Sequence, residues 1–164
     1  MMLPGARPTR EGRGPGTGNV SGTVIGFDFG MKRIGVAVGE TGTGIANPLL
    51  AIEEAANERR WLAIDRIVKE WSPVAFVVGE PRHADGSEHP VAKLAAKFAR
   101  RLAARYGLAV ALVDETLTSA SAEADLRAMR GGRGRKADVD ALAAAMILQS
   151  YLDHPGEARA HAAS

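Results

Sequence analysis

The sequence predicts an α/β fold with a five-stranded mixed sheet in the order 3-2-1-4-5 and helices on both faces. Three observations lead there. Two short apolar runs, 24–29 and 34–38, flank a tight turn through Gly30 and Arg33, which suits an antiparallel hairpin. Further along, apolar runs alternate with segments of helical periodicity, the pattern of parallel strands joined by helical crossovers. Right-handed crossovers then put the fourth strand beside the first, on the side away from the initial hairpins.

Each element has its own signal. A third short strand is expected over 44–52. Ile64, Ile67, Val68 and Trp71 recur on one face of a helix that stops before Ser72-Pro73. The continuous apolar run 74–78 reads as a central strand covered on both faces and ended by Gly79-Glu80-Pro81. A helix from residue 87 or 90 to 106 places Val91, Leu94, Ala95, Phe98 and Leu102 inward, with Gly107 as its stop. A fifth strand covers 108–113. Thr118 or Ser119 can cap a helix through 129, and a Gly-rich break at 131–134 precedes a last helix over 138–152. In that helix Leu142, Met146 and Leu152 form the expected apolar side, and the alanines at 141 and 143–145 permit close approach to a sheet. Trp61 and Trp71 read as packing residues, and His83 and His89 as residues of the loop after the fourth strand.

Residues 1–22 are rich in Gly, Pro and Arg without apolar periodicity and read as a disordered extension. A single domain is expected over 23–153, with a flexible tail over 154–164. No apolar stretch is long enough to span a membrane, and there is no signal-peptide core. The chain has no cysteine, so thiolate metal sites and disulfides are excluded and a cytoplasmic location is compatible.

The net charge is +2, and three arginines against one glutamate in 1–22 account for it, leaving the body neutral. Within that body, 93–105 carries Lys93, Lys97, Arg100, Arg101 and Arg105 with no acid. The stretch 127–136 carries Arg127, Arg130, Arg133, Arg135 and Lys136, again with no acid. Basic patches on a neutral body suit a polyanion.

The chemistry is concentrated in acids at the ends of apolar elements. Asp28 ends the first strand, Glu80 the fourth, and Asp114-Glu115 the fifth. The predicted winding gathers these strand ends on one edge, where sites of such sheets lie. Asp138 and Asp140 open the last helix; Asp138 is expected to cap it. Crowded carboxylates repel by roughly 4 kcal/mol per pair at about 4 Å and an effective dielectric of 20. A hard cation removes that cost, and Mg²⁺ takes a few carboxylates while keeping its waters.

The motifs Asp28-Phe29-Gly30, Lys32-Arg33-Ile34-Gly35-Val36-Ala37, Val78-Gly79-x-Pro81, Asp85-Gly86, Asp114-Glu115-x-Leu117-Thr118 and Asp140 with its following Ala-rich helix occur in this order. Together they resemble the YqgF family of the ribonuclease H-like superfamily, whose members are described as pre-16S ribosomal RNA nucleases or as similar to Holliday-junction resolvases. The resemblance spans about 23–153. It implies a ribonuclease H-like fold and a Mg²⁺- or Mn²⁺-dependent nuclease acting on ribosomal RNA precursor, with the ribosomal subunit as a partner. It also implies that Asp28 bridges the metals, that Asp140 is the acid of the final helix, and that Glu115 or Asp114 fills the third corner. Lys32, Arg33, Arg133, Arg135 and Lys136 are the expected nucleic-acid contacts, Arg33 with the alternative, preferred here, of pairing with a site carboxylate. Two positions depart from the family's pattern. Glu80 stands where the family has Leu and related junction resolvases carry a catalytic Glu, so it is either an added ligand or a surface residue. Thr116 replaces an Arg and removes one expected backbone contact or charge partner. The rival functions are a Holliday-junction resolvase cutting a four-way DNA junction, which needs a symmetric dimer, and a non-catalytic RNA-binding assembly factor.

Overall fold

A computed structural model describes residues 21–54, 56–80, 90–114, 136–157 and 159–161. Its sheet begins with the predicted hairpins: β1 (Thr23–Asp28), β2 (Ile34–Glu40) and β3 (Ile45–Ile52) are antiparallel neighbours. Helix α1 (Asn57–Trp71), strand β4 (Ala75–Glu80), helix α2 (Ala92–Tyr106) and strand β5 (Ala109–Asp114) follow, with β4 parallel to both β1 and β5. Helix α3 (Lys136–Asp153) comes next, and then a sixth short strand, β6 (Arg159–His161). The strand order is β3-β2-β1-β4-β5-β6. The predicted order 3-2-1-4-5 is thus present, and one strand is added at its edge. β6 pairs antiparallel with β5 inside the segment expected to be a tail. Three residues are too few to announce a strand by alternation. The helix expected over 118–129 lies outside the described residues.

The helix ends follow from local chemistry. Ser72 adopts a left-handed φ of 45° after α1, its N–H donating to the Val68 carbonyl at 2.8 Å, and Pro73 prevents continuation. Gly107 takes φ 67° after α2 and donates to the Ala103 carbonyl at 2.9 Å. At the sheet's open edge, β3 tolerates Pro48 because an edge strand can lack one donor.

Two cores lie on the two faces. On one, Ile25 and Phe27 of β1 and Phe76 and Val78 of β4 meet Phe98 and Leu102 of α2 and Ile64 of α1. Phe27 and Phe98 are edge to face, 5.3 Å between centroids. On the other, Val24, Ala37, Val77 and Val113 meet Ala144, Leu148 and Tyr151 of α3. Leu94, expected inward, is 38% exposed on α2.

Helix α3 lies unusually near the sheet. A Cβ added at Gly35 would fall 1.9 Å from the Asp140 carbonyl oxygen, and one at Gly26 would fall 2.8 Å from the Leu148 Cβ. This corrects the expected packing face of α3. Ala141, Ala144, Ala145, Ile147, Leu148 and Tyr151 are its buried residues, while Leu142, Met146 and Leu152 are only half-buried. The glycines at 26 and 35 let the 141–148 stretch of the helix, with Leu148 over Gly26, come down onto the sheet, and this turns Leu142 and Met146 toward its sides. The helix also begins at Lys136, so Asp138 sits in its first turn, exposed, where an acid complements the helix dipole, rather than at the cap. Gln149 fixes the far end of α3 to β3: its amide donates to the Gly44 carbonyl at 2.7 Å and its oxygen accepts the Ala46 N–H at 2.9 Å.

Candidate active site

The carboxyl ends of β1, β4 and β5 meet at one edge of the sheet, and the pleat decides which acids share a face. Asp28 is the register partner of Gly35. Paired residues of adjacent strands point to the same side. Gly35 faces α3 so closely that it touches the Asp140 backbone, so Asp28 also faces the start of α3. A strand and a helix more than a hundred residues apart in sequence thereby bring Asp28 and Asp140 to the same edge of the sheet, on its α3 side. Only glycine at position 35 allows it.

Arg33 completes this arrangement from the β1–β2 turn. Its Nε donates to the Asp140 Oδ2 at 2.5 Å, with both side chains half-buried. Of the two expectations for Arg33, the structure has it paired with a carboxylate, that of Asp140. A charge-assisted contact of this kind fixes the carboxylate's rotamer and offsets part of its repulsion with Asp28.

The other predicted residues fall as follows. Glu80, buried, and Asp114 are register partners at the ends of β4 and β5. By alternation they lie on the side of Phe76 and Val78, and of Val110 and Leu112, which is the α1 and α2 face. The pleat therefore does not bring them to the face of Asp28. Lys32 is exposed in the turn, and Lys136 is the first residue of α3. Glu115, Arg133 and Arg135 lie outside the described residues, as does the side chain of Lys136. Among the described residues no three acids or histidines form a group able to hold a metal ion. The donors present still fit the implied cation in kind: two oxygen ligands from rigid elements are what Mg²⁺ requires when water fills the remaining positions.

One positioning residue escaped the sequence. Arg60 on α1 is 6% exposed, and its guanidinium donates to three main-chain carbonyls. They are Glu54 at 2.5 Å, Gly30 at 2.8 Å and Met31. The group also lies 5.6 Å from the centre of the Phe29 ring. Burial lowers its pKa, yet an arginine keeps its charge in proteins. Arg60 thus holds the turn that follows Asp28 and carries Arg33. The only available signal was an arginine at the start of a helix, and Arg59 beside it is exposed and looks the same in sequence.

A family model described as "RuvX: Holliday junction resolvase" matches residues 22–154. Among similar proteins, the "Putative pre-16S rRNA nuclease" of Dechloromonas aromatica is 50% identical over 135 residues, covering 82% of this chain and 92% of that one. The protein of the same name from Methylobacillus flagellatus is 50% identical over 133 residues, covering 80% and 91%. Among solved structures, Thermus thermophilus RuvC in complex with a Holliday junction substrate superposes with a TM-score of 0.52 at 23% identity, over 85% of this chain and 99% of that chain. That likeness establishes a ribonuclease H-like fold. With a family model matching most of its length and relatives at half identity, this chain belongs to the RuvX/YqgF family.

Proposed function

We propose that this protein is a divalent-metal-dependent nuclease that hydrolyses phosphodiester bonds in the maturation of the 5′ end of pre-16S ribosomal RNA. The observation that carries the reading is the convergence of Asp28 and Asp140 on one face of the sheet's carboxyl edge, with Arg33 fixing Asp140. The name borne by relatives at 50% identity supports the substrate.

In this reading Asp28 and Asp140 hold Mg²⁺ or Mn²⁺, with Glu115 as third ligand, since Asp114 and Glu80 take the other side of the pleat. The metal, when bound, supplies an activated water and stabilises the leaving oxygen. Arg33 keeps the Asp140 carboxylate aimed at the site, and Arg60 keeps the turn that presents Arg33. Lys32, Arg133, Arg135 and Lys136 contact phosphates and set the register of the strand without reading its sequence. The ribosomal subunit precursor is the partner and the cytoplasm the location; no helix among the described residues is long and apolar enough to cross a membrane.

The family model's description favours a second substrate, the four-way DNA junction. Cleavage of a 16S precursor RNA and of a synthetic junction, each with Mg²⁺, Mn²⁺ or EDTA, separates the two when wild type is compared with Asp28→Asn. Metal-dependent RNA cutting that the variant lacks is the expected result. Junction cutting alone, by a stable dimer, moves the assignment to resolvase. Binding without cutting of either substrate, including ribosome-bound precursor, leaves an assembly factor.

A further inference from the structure

On the face of the sheet opposite α3, a depression opens between α1 and α2, immediately behind the turn that follows Asp28. Phe29, Trp61, Leu94 and Phe98 give it an apolar, largely aromatic lining, to which Asn57 and Arg60 of α1 add polar groups. Its rim is cationic, formed by Lys97 and Arg101 of α2. The cavity volume is about 140 Å³, close to the roughly 150 Å³ that accommodates one benzene-sized ring. Leu94 helps explain it. This leucine is exposed on a helix whose other outward residues are mostly charged, and its side chain forms one wall of the opening.

The cations are arranged along the groove. Lys97, Arg101 and Arg105 are spaced by four residues, so they stack along one side of α2 at intervals of about 6 Å. Lys97 and Arg101 are exposed and have no acidic partner among the described residues. Arg105 has one: its Nε and terminal nitrogen donate to the two Asp65 oxygens at 3.0 and 2.7 Å. It also lies 5.3 Å from the centre of the Trp61 ring, and with Arg101 and Trp61 it lines a second depression that continues the first. The groove therefore has a fixed far wall and two exposed cations beside an aromatic floor.

We propose that this groove binds single-stranded RNA, with one unstacked base seated in the pocket floored by Phe29, Trp61, Leu94 and Phe98 and its flanking phosphates held by Lys97 and Arg101. The choice of RNA rests on the function proposed above; the single strand follows from the pocket itself. A ring-sized apolar pocket flanked by phosphate-binding cations suits a base already out of its stack, and a duplex would present only its backbone. Phe29 directly follows Asp28, so a strand bound here passes from the α1 and α2 face over the sheet edge to the acids facing α3. The groove thus holds the strand on one side of the cut.

The test is binding in EDTA, where cleavage does not intervene. Trp71→Phe leaves Trp61 as the sole tryptophan, and its fluorescence is followed on titration with a short oligouridylate and with an abasic oligomer of equal length. Quenching by the first and not by the second is expected. Lys97→Ala and Arg101→Ala together are expected to weaken binding about tenfold or more, and to reduce the slope of log K against log salt by about 0.7 for each cation removed. Leu94→Ala, exposed and tolerable for folding, is expected to weaken binding with the slope unchanged. Unchanged affinity and slope in the cation pair, equal quenching by the abasic oligomer, or equal binding of duplex RNA or a four-way DNA junction would each overturn the proposal. Asp28→Asn loses no oligouridylate affinity if the groove is as described, whether or not wild type cuts RNA, so failure of the groove and failure of the nuclease reading give different results.

Discussion

Arg33 and Arg60 act on the same turn, one through its side chain's reach to Asp140 and the other through the turn's own carbonyls. Their losses are therefore expected to look different. Arg60→Met removes the donor from three carbonyls at once. Hydrogen bonds to a charged group are worth about 1.5–3 kcal/mol each, and solvent replaces part of that when a site opens. A net destabilisation of about 2–4 kcal/mol is expected in urea unfolding, with activity lost alongside. Arg60→Lys should recover little, because one ammonium on a flexible stem does not reproduce a planar fork. Arg33→Ala is expected to leave stability within about 1 kcal/mol, since the pair is partly solvated. It should lower RNA cleavage by about 10–100-fold, the usual effect of losing the partner that orients a ligand. A cleavage assay at saturating Mg²⁺ beside the unfolding curve separates a positioning role from a structural one. Equal damage to both properties in both variants would refute the division of labour.

At the scale of elements, two contacts set the layers in place. The α3 contact depends on Gly35, because a methyl there would overlap the Asp140 carbonyl oxygen and carbon, at 1.9 and 2.5 Å. Overpacking costs about 1–3 kcal/mol when side chains can yield, and more when the obstacle is backbone. Gly35→Ala is accordingly expected to cost at least about 3 kcal/mol and to abolish cleavage by displacing Asp140, whereas Gly42→Ala, with open space around it, changes neither. The α1–α2 contact depends on Asp65, which accepts from both Arg105 and the Tyr106 hydroxyl. These bonds, that from Arg105 first, hold the Asp65 carboxyl below its usual pKa. A depressed carboxylate stabilises the fold above its unfolded pKa of about 3.9, and the contribution disappears as pH falls through the lower folded value. The difference in Tm between wild type and Asp65→Asn should hold constant from about pH 7 to 5 and shrink below about pH 4. A difference that stays constant to the lowest pH would show that the pair is not what joins these helices.

For the molecule as a whole, legibility from sequence followed the strength of the repeating pattern. The parallel strands and hairpins were readable because Val77, Phe27 and their neighbours form runs bounded by glycine, proline and acids, and handedness then left one strand order. The strand order emerges from that reading. The face of α3 did not, since the sequence shows Leu142 and Met146 as larger apolar groups and does not reveal that Gly35 lies against the Asp140 backbone and Gly26 against Leu148. Arg60 was invisible for a related reason: its partners are main-chain carbonyls, which carry no residue identity. Nor could the pleat side of Glu80 and Asp114 be read before β4 and β5 were given exact ends. The assembled edge has an energetic consequence of its own. Asp28 and Asp140 are brought to one edge of the sheet by elements that cannot retreat. A cation bound by both acids should therefore stabilise the wild type. At a Mg²⁺ concentration tenfold above its dissociation constant, linkage adds about 1.4 kcal/mol to wild type, or roughly 3–6 °C in Tm for a domain of this size. Asp28→Asn and Asp140→Asn should gain little. Thermal unfolding of the three proteins in EDTA and across a Mg²⁺ titration checks this. Equal Mg²⁺ stabilisation of wild type and variants would mean that the cation binds elsewhere, and that these two acids are not the metal's ligands.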